Sequence, residues 1–260
     1  MCRLAAYTGR SVRLEEFLLT PPHSLIQQAH APQETLSATV NADGIGFGWY
    51  PEDGQPAVYR SLLPAWAEPN LESLGRSLAS RTWLANVRSA TDPLSSGYAN
   101  TQPFSGDGML FLHNGFIEDF STAVRGPLRS TLSPAFESTV HGTTDSEYLF
   151  ALLRQEVHEH DGNLLSALRV TVERLVDWLR EEKLGALLNI VVSQGNTVTA
   201  LRHAIRLECP SLYTHCGHHA FAGGHLAASE PLDDDPGWDA VPPHHVAVLE
   251  PGHDVRIFPL

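Results

Sequence analysis

Apolar positions recur along this chain with two periods, and each period predicts its own set of elements. Short apolar or alternating runs predict strands over residues 2–8, 44–50, 83–90, 109–113, 187–193 and 197–203, with later strands inside 217–228 and 245–258. Three stretches carry the helical spacing of three and four. Leu71, Leu74 and Leu78 mark a helix over 71–81; Tyr148, Leu149, Leu152 and Leu153 mark one over 145–158; Leu165, Leu168, Val172, Leu175 and Leu179 mark one over 164–182. Asp145–Ser146 stands where the N-cap of the middle helix is expected. Strands gather toward both ends and helices toward the middle. That order excludes a simple βαβ repeat and fits two antiparallel sheets between helix layers. The pattern alone reads as α+β, one domain over residues 1–260.

Composition narrows the partners. The net charge is −13 and Lys and Arg do not cluster, which argues against a nucleic-acid binder. No apolar run approaches the ~18 residues of a membrane span. Arg3, Arg10 and Arg13 interrupt the first residues before a secretory apolar region could form. A cytoplasmic protein with a small-molecule partner is expected, with neither nucleic acid nor membrane. A homo-oligomer is compatible with the sequence. The three cysteines, Cys2, Cys209 and Cys216, are too few for a disulfide framework and fit a reducing compartment.

One cysteine changes the picture. Cys2 follows the initiator methionine and is small, so removal of Met1 is expected. The exposed residue then carries a thiol and a free α-amine. The amine, with a pKa near ~8, can take the thiol proton and make the thiolate a nucleophile. Taken alone, Cys2 reads more readily as the start of a buried strand than as a nucleophile.

Other segments give it a context. Met1-Cys2-Arg3-Leu4, Asn41-Ala42-Asp43-Gly44-Ile45-Gly46-Phe47-Gly48, Asn86-Val87-Arg88-Ser89-Ala90-Thr91, His113-Asn114-Gly115 and Thr144-Asp145-Ser146-Glu147 occur in this order over the first part of the chain. Together they resemble the class II glutamine amidotransferases, a branch of the N-terminal nucleophile hydrolases; weak motifs in a fixed order make a strong joint signal. The resemblance implies a four-layer αββα fold, with two antiparallel sheets between helix layers. It implies that Cys2 attacks a γ-glutamyl amide and forms a γ-glutamyl thioester that water then hydrolyses to glutamate. It also implies that the Asn114 side chain and Gly115 N–H hold the oxyanion, Arg88 the substrate carboxylate and Asp145 the substrate ammonium. The residues support this: Arg88 lies in an apolar strand where an unpaired cation would be costly. Asn-Gly by itself reads as a hairpin turn.

A narrower likeness is carried by Pro21-Pro22-His23-Ser24-Leu25, by residues 229–238 and by Phe258-Pro259-Leu260. These resemble the γ-glutamyl hydrolases of ergothioneine biosynthesis, which implies γ-glutamyl-hercynylcysteine sulfoxide as substrate. Ser89 and Asp92 stand where many synthase-linked members have Trp and His, which argues against free glutamine as the preferred substrate. The alternative is a glutaminase subunit that supplies ammonia to a separate synthase; a degenerate binding module is the non-enzymatic reading. Neither cofactor nor metal is expected. Thr214–His219 looks superficially like a metal cluster, but the adjacent His218 and His219 point to opposite faces of a strand. Asp233–Asp235 reads as a solvated charge run that, with Trp238, could line the pocket mouth against a cationic leaving group.

Overall fold

The computed structural model describes residues 2–34, 40–89 and 97–260. In chain order the strands are β1 (Arg3–Arg13), β2 (Ile45–Trp49), β3 (Ala57–Ser61), β4 (Ala79–Val87), β5 (Phe104–Gly106), β6 (Met109–Ile117), β7 (Ala186–Gln194), β8 (Thr197–Ile205), β9 (Tyr213–His218), β10 (Gly224–Ala228), β11 (Trp238–Ala240), β12 (His245–Leu249) and β13 (Arg256–Pro259). The helices are α1 (Leu14–Leu18), α2 (Leu25–His30), α3 (Leu71–Ser77), α4 (Arg125–Thr131), α5 (Pro134–Glu137), α6 (Asp145–Glu159) and α7 (Leu164–Glu182).

The strands form two antiparallel sheets, in the orders β11-β9-β10-β1-β4-β2-β3 and β13-β12-β8-β7-β6-β5. Strand periodicity assigns the layers. On β1, Leu4 and Ala6 point into a core shared with Leu84, Leu110, Leu112, Val191 and Ala200, which lies between the sheets. Their neighbours Ala5 and Tyr7 point the other way, into a core with Leu14, Phe17, Leu25 and Trp83 under α1–α3. On β6, Met109 and Phe111 pack with Leu149, Leu153, Leu168 and Leu175 of α6 and α7. Successive side chains of one strand serve two different cores. The result is helix, sheet, sheet, helix, as expected.

Both faces of each sheet are covered, so the central strands read as nearly continuous apolar runs. That is why β6, β7 and β8 are legible in the sequence. The predicted strands at 217–228 and 245–258 each resolve into two. Gly223 turns the chain at φ +75° between β9 and β10, and Gly252 at +84° between β12 and β13. The helix expected over 71–81 stops at Ser77, because the chain enters β4 at Ala79 and pairs there with Arg13. The N-cap of α6 is Thr144, whose side chain accepts from Glu147 N–H; Asp145 is the first helical residue. Asn114 and Gly115 lie within β6 and not in a hairpin turn.

The sheets and the loops between them leave little room. A methyl group at Gly46 would lie 1.9 Å from the Gln102 carbonyl oxygen. Gln102 in turn bonds the His113 backbone twice, through Oε1 to N–H (2.6 Å) and through Nε2 to the carbonyl (2.9 Å). Gly46→Ala should therefore destabilise the protein by about 1–3 kcal/mol, the cost of overpacking a site that cannot open. Urea unfolding monitored by tryptophan fluorescence measures it; an unchanged midpoint would show that Gln102 moves freely.

Candidate active site

The antiparallel register of β1 and β4 pairs Arg3 with Val87. One step further along, it brings Cys2 beside Arg88 and Ser89. The half-buried Cys2 Sγ lies 3.4 Å from the Ser89 N–H that points at it and 3.6 Å from the Ser89 carbonyl oxygen. It opens onto a cavity of about 400 Å³. Arg88, Gly115 and Asp145 line the same cavity, so four of the five candidate residues meet there. They come from the start of β1, the end of β4, β6 and the start of α6.

Each is held by neighbours. The Arg88 backbone is gripped on both sides: its N–H donates to the Gly44 carbonyl (2.9 Å), and its carbonyl accepts from Asp43 N–H (3.0 Å). The Asn41–Gly48 motif thus sets the end of β4. The Asp145 carboxylate accepts from Ile117 N–H (2.8 Å) through Oδ2, and from Ser146 N–H (2.7 Å) and Ser146 Oγ (3.2 Å) through Oδ1. Gly115 has no room for a side chain, since a Cβ would sit 1.8 Å from the Leu187 carbonyl oxygen.

Asn114 is the exception. It does not line the cavity; as the even-numbered neighbour of Leu112, its side chain points between the sheets and is fully buried. There Asn114 Nδ2 donates to Ser229 Oγ (3.2 Å), which also accepts from Leu4 N–H (3.1 Å). Ser229 thus ties Asn114 to the strand that carries Cys2. Met1, Thr91 and Asp92 lie outside the described residues.

Glu230 extends this bracing. Its carboxylate, 1% exposed, pairs with the equally buried Arg3 guanidinium at 3.1 Å. It also faces His23 Nε2 (2.8 Å) and accepts from Gln33 N–H (2.9 Å) and Glu34 N–H (3.1 Å). Burial opposes ionisation of Glu230, but those hydrogen bonds and the Arg3 charge outweigh it and hold the carboxyl below its ordinary range. Burial also pulls the Arg3 guanidinium down, against the charges of Glu230 and Cys2.

Several cavity residues were not singled out from the sequence. Asn100 accepts from Thr143 N–H (2.8 Å) and so fixes the approach to α6. His113 places Nε2 on the Leu187 carbonyl (2.9 Å) and Nδ1 on Ser146 Oγ (2.9 Å). Glu118, Asp119 and Arg125 form another part of the wall. His113 carried a signal as the first residue of His113-Asn114-Gly115, and outside the cavity wall Ser229 and Glu230 carried one as the first residues of the 229–238 likeness.

The late histidines are arranged otherwise than as a pocket mouth. His215 and His218 are buried, with their rings 4.1 Å apart, whereas His219 is exposed. His215 Nε2 meets Asp235 (2.9 Å) and His218 Nε2 meets Asp233 (3.1 Å). Trp238 Nε1 and two backbone N–H groups also donate to these carboxylates. His215, His218 and Asp235 are close enough to share a metal ion. The bonds present are those of two His–Asp pairs bracing the 233–238 loop to β9. Asp233–Asp235 line a separate surface cavity with His218 and Pro22, so the expectation that they border the Cys2 pocket is corrected.

Among the described residues, no helix is long and apolar enough to cross a membrane. The family model "Glutamine amidotransferases class-II" matches residues 26–226. A γ-glutamyl-hercynylcysteine sulfoxide hydrolase of Mycolicibacterium smegmatis is 32% identical over 98% of both chains. A probable glutamine amidotransferase of Saccharomyces cerevisiae is 29% identical over 96% of this chain and 82% of its own. Among solved structures, a glutamine aminotransferase class-II domain protein from Silicibacter pomeroyi superposes with a TM-score of 0.73 at 25% identity, covering 100% of this chain and 99% of its own. The glutamine phosphoribosylpyrophosphate amidotransferase of Bacillus subtilis shares the fold at TM-score 0.64 and 14% identity, over 100% of this chain and 49% of its own.

The Arg3–Glu230 pair has a measurable signature. Glu230→Gln leaves a buried guanidinium without its counter-charge, which should cost about 3 kcal/mol at pH 7. A carboxyl held low in the folded state stabilises it above the unfolded pKa and ceases to do so as pH falls through the folded value. The gap between wild type and Glu230→Gln should therefore be full at neutral pH and shrink below about pH 4. Denaturant titrations across that range test this; a gap independent of pH would contradict it.

Proposed function

The chain belongs to the class II glutamine amidotransferases, enzymes that act on γ-glutamyl amides, and we propose that it is a γ-glutamyl amide hydrolase whose nucleophile is Cys2 and whose substrate is γ-glutamyl-hercynylcysteine sulfoxide. The observation that carries this reading is the meeting of Cys2, Arg88, Gly115 and Asp145 around one cavity from four separate stretches of sequence. The αββα architecture, shared with the phosphoribosylpyrophosphate amidotransferase, suits a nucleophile at the head of a central strand. The names of relatives matched over 98% and 91% of their own length support this choice of substrate.

The chemistry needs no group beyond the processed chain. With Met1 removed, the Cys2 α-amine takes the thiol proton, and the thiolate attacks the γ-carbonyl carbon. The oxygen becomes an oxyanion, met by Gly115 N–H in the cavity wall and, from the buried position next to it, by the Asn114 amide hydrogen not engaged by Ser229. Collapse breaks the C–N bond, and the Cys2 ammonium protonates the departing amine. Water, deprotonated by the same amine, attacks the thioester; glutamate leaves and the thiol is restored. Arg88 grips the glutamyl α-carboxylate as a fork, and Asp145 receives the α-ammonium. Both Asp145 oxygens already accept from the protein, which fixes the carboxylate in place and leaves lone pairs for the ligand.

The decisive assay is mass spectrometry of the purified protein incubated with γ-glutamyl-hercynylcysteine sulfoxide and, separately, with glutamine. Loss of Met1 and glutamate release from the sulfoxide are expected, with glutamate release absent in Cys2→Ala. Release from glutamine alone would move the assignment to an ammonia donor for a synthase partner. Retained turnover in Cys2→Ala would sink the nucleophile.

Ser229 gives a second prediction. Asn114→Ala should lower kcat by about 100-fold to 1000-fold, the usual loss for one oxyanion donor. Ser229→Ala should lower kcat less, and the double variant should be no slower than Asn114→Ala. A coupling cycle with additive losses would show that Ser229 does not act through Asn114.

A further inference from the structure

We propose that Arg125 forms a subsite for a carboxylate on the leaving amine, so that the substrates of this enzyme are γ-glutamyl amino acids or peptides. This rests on the γ-glutamyl reading of the same cavity and deepens it.

Arg125 opens α4 and lines the Cys2 cavity. It is half-buried, and its backbone N–H donates to the Phe120 carbonyl, yet no hydrogen bond or ion pair ties its guanidinium to a described residue. Other buried or half-buried arginines have protein partners. Arg3 pairs with Glu230, Arg154 with Asp107 and Arg174 with Glu156; Arg60 donates to the Pro103 carbonyl and Arg202 to those of Pro210 and Val241. The nearby cavity acids do not serve Arg125. Glu118 accepts from Gly185 N–H (2.6 Å), Asp145 is engaged by Ile117 and Ser146, and no ion pair forms with exposed Asp119. A half-buried guanidinium without a counter-charge is costly, and more so once substrate displaces the water around it. It is a ready partner for an anion that arrives with the ligand.

The substrate chemistry says which anion. The glutamyl half offers one carboxylate and one ammonium, and Arg88 and Asp145 account for them. A second cation is superfluous for glutamine, whose leaving group is ammonia. In a γ-glutamyl amino acid the scissile nitrogen is bonded to a carbon that bears a carboxylate. That group has the planar shape a guanidinium fork binds in two places. A cavity of about 400 Å³ is larger than a glutamyl group alone requires. γ-Glutamyl-hercynylcysteine sulfoxide, acylated on its cysteinyl nitrogen, carries such a carboxylate.

A matched pair of substrates isolates the effect. γ-Glutamyl-2-aminobutyrate and γ-glutamyl-propylamide differ only in that carboxylate. The processed wild-type enzyme should favour the acid by at least about tenfold in kcat/KM. Arg125→Met should reduce this preference by roughly tenfold to a hundredfold, mainly through KM for the acid, the loss of a charge-assisted bidentate contact. Arg125→Lys should restore part of it. Equal rates for the two substrates in the wild type would overturn the subsite while leaving γ-glutamyl hydrolysis intact. Equal losses on both substrates in Arg125→Met would overturn it as well, since the arginine would then serve the fold or the glutamyl end. Turnover of neither compound, and none of glutamine, would bring down the hydrolase reading and the subsite together.

Discussion

The buried ion pair between Arg3 and Glu230 is the contact on which the geometry at Cys2 depends. Chain ends fray unless something holds them. Here the residue after the candidate nucleophile is a fully enclosed arginine, and its partner comes from the far end of the sequence. The same carboxylate receives two backbone N–H groups from residues 33 and 34, and the preceding serine receives Leu4 N–H and the Asn114 amide. Two adjacent residues after β10 thus brace the nucleophile strand, an early loop and the candidate oxyanion donor. Burying a charge pair is seldom a net gain in stability. Its value here is positional: Cys2 can lie against Ser89 only if Arg3 stays where it is.

The cavity beyond Cys2 is ordered by charge. Arg88 and Asp145 are set by backbone bonds, from Gly44 and Asp43 in one case and from Ile117 in the other. The first pair fixes the Arg88 backbone, and the second bond holds the Asp145 carboxylate itself, so the anion stands in place before any ligand arrives. That is preorganisation in the sense that matters for catalysis and binding alike. Arg125 differs in kind: its backbone is fixed at the start of a short helix, and its guanidinium has no polar partner among the described residues.

The sequence disclosed most where a side chain has one role to play. Cys2, Arg88, Gly115 and Asp145 were legible because their chemistry is specific and their spacing ordered, and the structure brings them to one cavity. The layered fold was legible because strands covered on both faces leave long apolar runs. What escaped has physical reasons. The short edge strands β3, β5 and β11 bury little and carry weak patterns. Thr144 and Asp145 are both good capping residues, and only the backbone angles decide between them. The inward turn of Asn114 follows from the parity of β6, which a three-residue motif does not reveal. The bracing by Ser229 and Glu230 joins residues 115 to 227 positions apart, and local sequence holds no trace of such a pairing.

The position of β1 inside its sheet also bears on when the molecule becomes an enzyme. β1 is flanked by β4 on one side and by β10 on the other, with Ala5 opposite Ala228. During synthesis, β1 must therefore wait for β10 before its hydrogen bonds are complete. Pairings across such distances form late and slowly. A nascent or prematurely ended chain would carry the thiol but lack the strand and carboxylate that fix it. The candidate nucleophile is thus held in place only by pieces of chain far downstream of it, so its position is a property of the completed sheet and not of the strand that carries it.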